Sequence, residues 1–154
     1  METGYVIAIL SIAFCVLICG VGSSLGLYKT STTAAGVLSE DPQKFGKVMV
    51  LVLLPATQGI YGFIIGIIAS SSLAQINTVG EGWAMFGALL PMIVSGFVSA
   101  FIQGKAAANC IKAVGKQESL SGKLIVYPGM IEFYAILGLI ISIMLVGVVP
   151  VALV

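Results

Sequence analysis

Residues 124–149 read LIVYPGMIEFYAILGLIISIMLVGVV, an apolar run of 26 residues that carries a single charged side chain, Glu132. A helix rises about 1.5 Å per residue and the hydrocarbon layer of a bilayer is about 30 Å thick, so roughly 20 apolar residues span it. Three further runs are long enough and carry no charge, at about residues 5–26, 48–73 and 83–104. The four runs predict an all-α membrane protein with four transmembrane helices.

The composition excludes several other classes of protein. Of the 154 residues, 59% are apolar and 8% are charged, whereas soluble domains average about 25% charged residues. This excludes an ordinary soluble domain, a disordered chain and a nucleic-acid-binding protein. The chain has no His, and Cys15, Cys19 and Cys110 do not form a CxxC motif, which excludes zinc sites and Ser-His or Cys-His catalysis. We expect no catalytic site in this chain, and three cysteines that act as small buried apolar residues.

Short connections join the predicted helices. They lie at residues 39–44, 77–82 and 115–119, and the flanks at 34–38 and 106–114 should continue as helix because they contain no strong breaker. Helices joined by short connections are antiparallel neighbours. The expected architecture is therefore two tandem helical hairpins, residues 1–76 and 77–154, the second of which carries Glu132.

The lysines predict the orientation in the membrane. All seven lie around the first and third connections, whereas the second connection and the N-terminus contribute only acids. By the positive-inside rule, the loops at 39–45 and 115–121 are cytoplasmic and both termini lie outside the cell membrane. Residues 1–4 lack the positive charge that begins a signal peptide, so the first helix is expected to be retained.

The two predicted hairpins resemble each other. Residues 55–61 (PATQGIY) match residues 128–134 (PGMIEFY) at an offset of 73, with proline and tyrosine coinciding and Glu132 opposite Gly59. Both hairpins begin on the same side, so the pattern indicates a parallel repeat in which one copy retains the acid.

Glu132 has polar neighbours at its own depth in the membrane. A charge at the bilayer centre costs about 2.5–3.5 kcal/mol, and such acids usually mark ion pathways, although a protonated carboxyl can also join helices. Counted from the connections, Gln58 and Gln103 lie at the level of Glu132.

The second span adds more oxygen atoms. Thr57, Gln58 and Tyr61 cluster within about one turn. Leu54 precedes Pro55, and a proline in a helix can free carbonyls on the preceding turn. Each side chain could instead bridge helices or bond its own backbone. Together, carboxylate, amide, hydroxyl and carbonyl oxygens favour a site for a hard cation.

At these residues the sequence resembles the proteolipid subunits of V-type ATPases, in particular those of bacterial sodium-translocating enzymes. The resemblance covers nearly the whole chain and rests on residues 41–46 (DPQKFG), 54–63 (LPATQGIYGF), 102–108 (IQGKAAA) and 131–138 (IEFYAILG).

The resemblance implies a homo-oligomeric rotor ring with helices one and three inside and helices two and four outside. It implies that Glu132 is the essential carboxylate and that Tyr61 holds it in place. The further Na⁺ ligands would be the side chains of Thr57, Gln58 and Gln103 and the carbonyl of Leu54. Pro128 stands where alanine is expected and should shift the carboxylate slightly, and no ligand is expected on the first helix.

A mechanism follows from electrostatics. An ionised, empty Glu132 facing lipid is costly, so the ring turns through lipid only when each site is loaded. The chain has no Arg to compete for the carboxylate, so a partner subunit should supply one. The resemblance implies that this partner is the stator membrane subunit and that the cytoplasmic loops bind the central stalk.

Three alternatives remain open. H⁺ could replace Na⁺, although a proton needs only Glu132 and one partner and leaves the other oxygens without a role. A stand-alone secondary ion transporter would also explain the repeat and the buried acid. The third alternative is a structural helical bundle.

Overall fold

The computed structural model describes residues 2–149; Met1 and residues 150–154, which belong to the ends of the two predicted hairpins, lie outside the described range. The described chain is helical throughout. Its α-helices are α1 (Glu2–Glu40), α2 (Phe45–Leu53), α3 (Thr57–Ser70), α4 (Val79–Lys116), α5 (Ser121–Leu124) and α6 (Val126–Val146). Four 3-10 turns complete the described elements, at Pro42–Lys44, Leu54–Ala56, Leu73–Gln75 and Glu118–Leu120.

Four helical segments are long and apolar enough to cross a membrane: Glu2–Glu40, Pro42–Ser70, Val79–Lys116 and Glu118–Val146. The prediction of four transmembrane helices is confirmed at this level. The expected continuation of the first and third helices through residues 34–38 and 106–114 is also confirmed, since both ranges lie inside α1 and α4. The second and fourth segments are composite. The second alternates two 3-10 turns with α2 and α3, and the fourth consists of one 3-10 turn followed by α5 and α6.

The second connection differs from its prediction. Residues 79–82 were expected in the loop, but they form the first turn of α4. A capping box explains the difference: the backbone N–H of Glu81 donates to Thr78 Oγ1 over 3.2 Å, and the N–H of Thr78 donates to Glu81 Oε2 over 2.9 Å. Leu73, expected at the end of the second span, lies instead in a separate 3-10 turn.

Helices α1 and α4 pack side by side along most of their lengths, with α3 against α1 and α6 against α4. The close approach depends on glycine. A Cβ atom added to Gly104 would overlap the Cα of Gly26, and one added to Gly22 would lie 2.8 Å from the Cα of Phe97. Small residues of this kind let membrane helices approach at backbone distance.

The first and third connections lie at one end of the bundle and are hydrogen-bonded to each other's helices. Lys44 Nζ donates to the Gly115 carbonyl over 2.8 Å, and Ser121 Oγ donates to the Lys47 carbonyl over 2.6 Å. This contact agrees with the expectation that both connections share one side of the membrane.

The buried apolar side chains form two clusters, one towards each end of the bundle. One contains Cys15, Cys19, Ile65 and Met92, and the other contains Val48, Leu51 and Ile111. The three cysteines are free and buried, as expected. Between the two clusters along the helices lie Gln58 and Gln103, both fully buried. A polar layer therefore crosses the middle of the bundle.

Candidate cation-binding site

The second span is broken at Pro55. Because proline has no N–H, the α-helical hydrogen bonding stops there, and Leu54–Ala56 form a 3-10 turn between α2 and α3. The Leu54 carbonyl accepts from the N–H of Thr57, and Thr57 Oγ1 also donates to it over 2.9 Å. The break thus brings the Leu54 carbonyl and the Thr57 hydroxyl into direct contact.

Two buried amides connect three helices at this level. Gln58 Nε2 on α3 donates to Gln103 Oε1 on α4 over 2.7 Å, and Gln103 Nε2 donates to the Pro128 carbonyl on α6 over 2.9 Å. Thr57 Oγ1 lies 3.4 Å from Gln58 Oε1. Buried amides require such partners because an unpaired polar group in an apolar interior is costly.

One turn further along α3 and α6, a direct side-chain hydrogen bond joins the two helices. Tyr61 on α3 donates its hydroxyl hydrogen to Glu132 Oε1 on α6 over 2.7 Å, and both side chains are partly buried. Tyr61 follows Gln58 by three residues, and Glu132 follows Pro128 by four. The Tyr61–Glu132 bond therefore lies about one helical pitch, roughly 5.4 Å, from the hydrogen bonds that connect Gln58, Gln103 and Pro128.

The structure brings the six predicted site residues into one polar layer, as two hydrogen-bonded groups. Leu54, Thr57, Gln58 and Gln103 form one group, and Tyr61 with Glu132 forms the other. The layer offers carboxylate, amide, hydroxyl and backbone carbonyl oxygens, a set that suits a hard cation such as Na⁺ rather than a transition metal.

Sequence reasoning missed two features of this layer. The carbonyl of Pro128 accepts the Gln103 amide, although the sequence predicted no contact for that carbonyl. Helix α1 also reaches the layer, because Ser23 Oγ accepts the N–H of Gly59 over 2.7 Å. The sequence shows small polar residues on α1, but it does not indicate which of them reaches the second span.

Comparison with known proteins gives two matches to one family model, that of the ATP synthase C subunit, at residues 10–69 and 86–145. The chain is 39% identical to the K subunit of the V-type sodium ATPase of Enterococcus hirae over 143 residues, which cover 93% of this chain and 92% of that protein. It is 43% identical to the K subunit of the A-type ATP synthase of Methanocaldococcus jannaschii over 128 residues, 83% of this chain and 56% of that protein. The 16 kDa proteolipid of the human V-type proton ATPase is more distant, at 21% over 138 residues, 90% of this chain and 89% of that protein.

Proposed function

The chain belongs to the ATP synthase C subunit family, and from this premise we propose that it is a rotor-ring subunit of a rotary V-type ATPase that carries Na⁺ across the membrane. The observation that carries the proposal is the 39% identity, over 93% of the chain, to a subunit of a sodium ATPase. ATP turnover takes place on partner subunits, and this chain contributes the ion carrier.

The proposed Na⁺ site consists of Glu132 with the side chains of Thr57, Gln58 and Gln103 and the carbonyl of Leu54. Tyr61 orients the carboxylate through its hydrogen bond of 2.7 Å. The support is positional, since these groups occupy one polar layer between two apolar clusters. Na⁺ is the cargo of this site: it binds from one side of the membrane and leaves on the other.

Electrostatics then couples loading to rotation. A cation on Glu132 neutralises the carboxylate, so a loaded site moves through lipid at low cost, whereas an empty one does not. Release requires a competing positive charge. The chain contains no Arg, so a stator membrane subunit supplies that residue.

In the proposed ring of identical subunits, α1 and α4 form the inner layer, and the spans that contain α3 and α6 form the outer layer. The close glycine contacts between α1 and α4 support this arrangement, because inner helices have the least room. The hairpins 1–76 and 77–154 are the two repeat units, and the separate family matches at 10–69 and 86–145 support that division.

For the membrane topology, we propose cytoplasmic loops at 39–45 and 115–121, which bind the central stalk, and termini on the outside of the cell membrane. The grouping of all seven lysines around these loops supports the orientation. The hydrogen bonds that join the loops, Lys44 to Gly115 and Ser121 to Lys47, give the stalk one continuous surface.

Labelling of Glu132 by dicyclohexylcarbodiimide tests the cargo. The purified full chain in detergent is labelled at fixed pH, with increasing Na⁺ or with choline at the same ionic strength. We expect Na⁺ to protect Glu132 and choline not to protect it, and Glu132→Gln to remove the labelled site. Labelling that responds to pH but not to Na⁺ would favour H⁺ as the coupling ion.

Native mass measurement in detergent tests the assembly. We expect a closed ring of one defined number of copies. A monomer that transports Na⁺ alone in vesicles would identify a secondary transporter instead, and a Glu132→Gln chain that supports full ion-coupled ATPase activity would identify a structural bundle.

A further inference from the structure

We propose that Ser23 and Thr30 of α1 are positioning residues for the cation site, because they hold the two ends of the break in the second span. The inference rests on the proposed function, since it concerns how the same site keeps its geometry. Neither side chain is among the proposed ligands.

Ser23 bonds the backbone where α3 begins, just after the 3-10 turn. Gly59 is the third residue of α3, and the first N–H groups of a helix have no partner within that helix. The N–H of Gly59 donates to Ser23 Oγ over 2.7 Å, and Ser23 is 6% exposed. A side chain of α1 therefore provides the hydrogen bond that an N-cap residue normally provides from the same helix.

Thr30 contacts the backbone where α2 ends, just before the 3-10 turn. In an uninterrupted α-helix, the Val52 carbonyl would accept from the N–H of Ala56, but Ala56 belongs to the 3-10 turn. Thr30 Oγ1 lies 2.9 Å from the Val52 carbonyl, its nearest acceptor, and 3.1 Å from the Leu27 carbonyl of its own helix. Thr30 is fully buried, so water does not replace this contact within the subunit.

The two contacts are in register. Ser23 and Thr30 are seven residues apart on one face of α1, and their partners Gly59 and Val52 are seven residues apart on the antiparallel second span. Between them Pro55 packs against Gly26, where an added Cβ would lie 2.6 Å from the Cβ of Pro55. We define Ser23, Gly26 and Thr30 as the α1 clamp.

The α1 clamp encloses three of the proposed ligands. Leu54, Thr57 and Gln58 all lie between Val52 and Gly59, and the orientation of the Leu54 carbonyl depends on where the 3-10 turn begins and ends. Without the clamp, the turn is free to shift its hydrogen bonding along the chain. The oxygens on α3 would then lose their register against Gln103 and Glu132.

The test compares Ser23→Ala and Thr30→Val with matched controls on the same helix. Ser24→Ala and Thr32→Val remove exposed hydroxyls that bond only carbonyls of α1, those of Val21 and of Tyr28 and Lys29. The readout is the Na⁺ concentration that gives half protection of Glu132 against the carbodiimide, measured on chains with the wild-type native mass. We expect a rise of about 5-fold for each clamp variant, the usual effect of one hydrogen bond, and a change below about 2-fold for each control.

Thr30→Ser keeps the hydroxyl and should restore half protection to within about 2-fold of the wild type, which a purely packing role of Thr30 would not do. Protection that is unchanged in both clamp variants would overturn the inference and leave the proposed function intact. A wild-type chain that Na⁺ does not protect would overturn the proposed function itself. If Ser23→Ala fails to assemble, the pair Thr30→Val and Thr30→Ser still decides the question.

Discussion

The two hairpins carry proline at matched positions, yet the backbone differs at the two prolines. Pro55 lies in a 3-10 turn that separates α2 from α3, whereas Pro128 is the third residue of a continuous α6. The difference lies in the distance from the preceding connection. The 3-10 turns that follow the two connections begin at Pro42 and Glu118, so Pro55 lies 13 residues along its span and Pro128 lies 10 residues along its span.

Proline at the start of a helix is tolerated because its missing N–H is not needed there, but proline inside a helix interrupts the hydrogen bonding. The second span therefore contains a 3-10 turn at its proline and offers backbone and side-chain oxygens there, while the fourth span is interrupted before its proline, at Ile125, and presents one carboxylate from α6. In the proposed site, the two spans therefore contribute complementary groups.

Glu132→Gln should have the largest effect, because Glu132 is the only acid in the polar layer and its counterpart Gly59 has no side chain. We expect carbodiimide labelling and Na⁺-dependent ATPase activity of the assembled enzyme both to be lost. Glu2→Gln, at the exposed start of α1, is the control and should keep both. Activity that persists in the Glu132→Gln enzyme would show that the carboxylate does not carry the ion.

Gln103→Leu should have the next largest effect, because Gln103 bonds both halves of the site, Gln58 on α3 and the Pro128 carbonyl on α6. The change leaves the buried Gln58 Nε2 without its partner, at a cost of about 1–3 kcal/mol, and removes the bond to the Pro128 carbonyl. We expect the Na⁺ concentration for half protection to rise about 10- to 100-fold. Gln117→Leu at the exposed end of α4 should leave it unchanged. An unchanged value for Gln103→Leu would place the ligand set elsewhere.

Tyr61→Phe and Tyr134→Phe test a pair of tyrosines that the repeat aligns. Tyr61 donates to Glu132 over 2.7 Å, whereas the side chain of Tyr134 is 69% exposed on the surface of α6. A hydrogen bond to a charged group contributes about 1.5–3 kcal/mol, so Tyr61→Phe should raise the Na⁺ concentration for half protection at least about 10-fold. Tyr134→Phe should change it less than about 2-fold. Equal effects would mean that the Tyr61 hydroxyl does not orient the carboxylate.

Pro55→Ala and Pro128→Ala test the backbone difference itself. Alanine at position 55 restores an N–H and lets α2 and α3 merge, which moves the Leu54 carbonyl and Thr57 out of their present register. Alanine at position 128 keeps the carbonyl that Gln103 binds. We expect a rise of about 5-fold in the half-protecting Na⁺ concentration for Pro55→Ala and a change within about 2-fold for Pro128→Ala. Equal shifts would show that the 3-10 turn has no role in the site.

Much of this arrangement was predictable from the sequence. The apolar runs give the four spans, because the thickness of a bilayer fixes their length, and counting residues from the connections places Gln58, Gln103 and Glu132 at one depth. Depth does not fix which atoms meet. The pairing of Gln103 with the Pro128 carbonyl depends on the rotation of α6, and sequence spacing does not give that rotation.

The contacts of α1 were not predicted for a different reason. Ser and Thr in a membrane helix commonly bond their own backbone, as Ser24 and Thr32 do, so the sequence alone does not distinguish Ser23 and Thr30 from them. The start of α4 was misplaced because Val79–Gly82 contain two glycines typical of a loop. The capping box of Thr78 and Glu81 nevertheless makes these residues helical.

The smallest effect is expected at Thr78, which caps α4 at the surface as Ser23 caps α3 in the interior. Thr78 is exposed, so water can replace its hydroxyl, and Thr78→Ala should lower the free energy of unfolding by about 1 kcal/mol. For a chain of this size that corresponds to a fall of roughly 2–4 °C in Tm, measured by thermal unfolding in detergent. Thr78→Ser should recover most of the loss, and neither variant should alter the protection of Glu132 by Na⁺. A weaker Na⁺ site in Thr78→Ala would mean that the surface end of α4 also sets the position of Gln103. Control of the site would then not be confined to contacts inside the bundle, such as the one that Ser23 makes with α3.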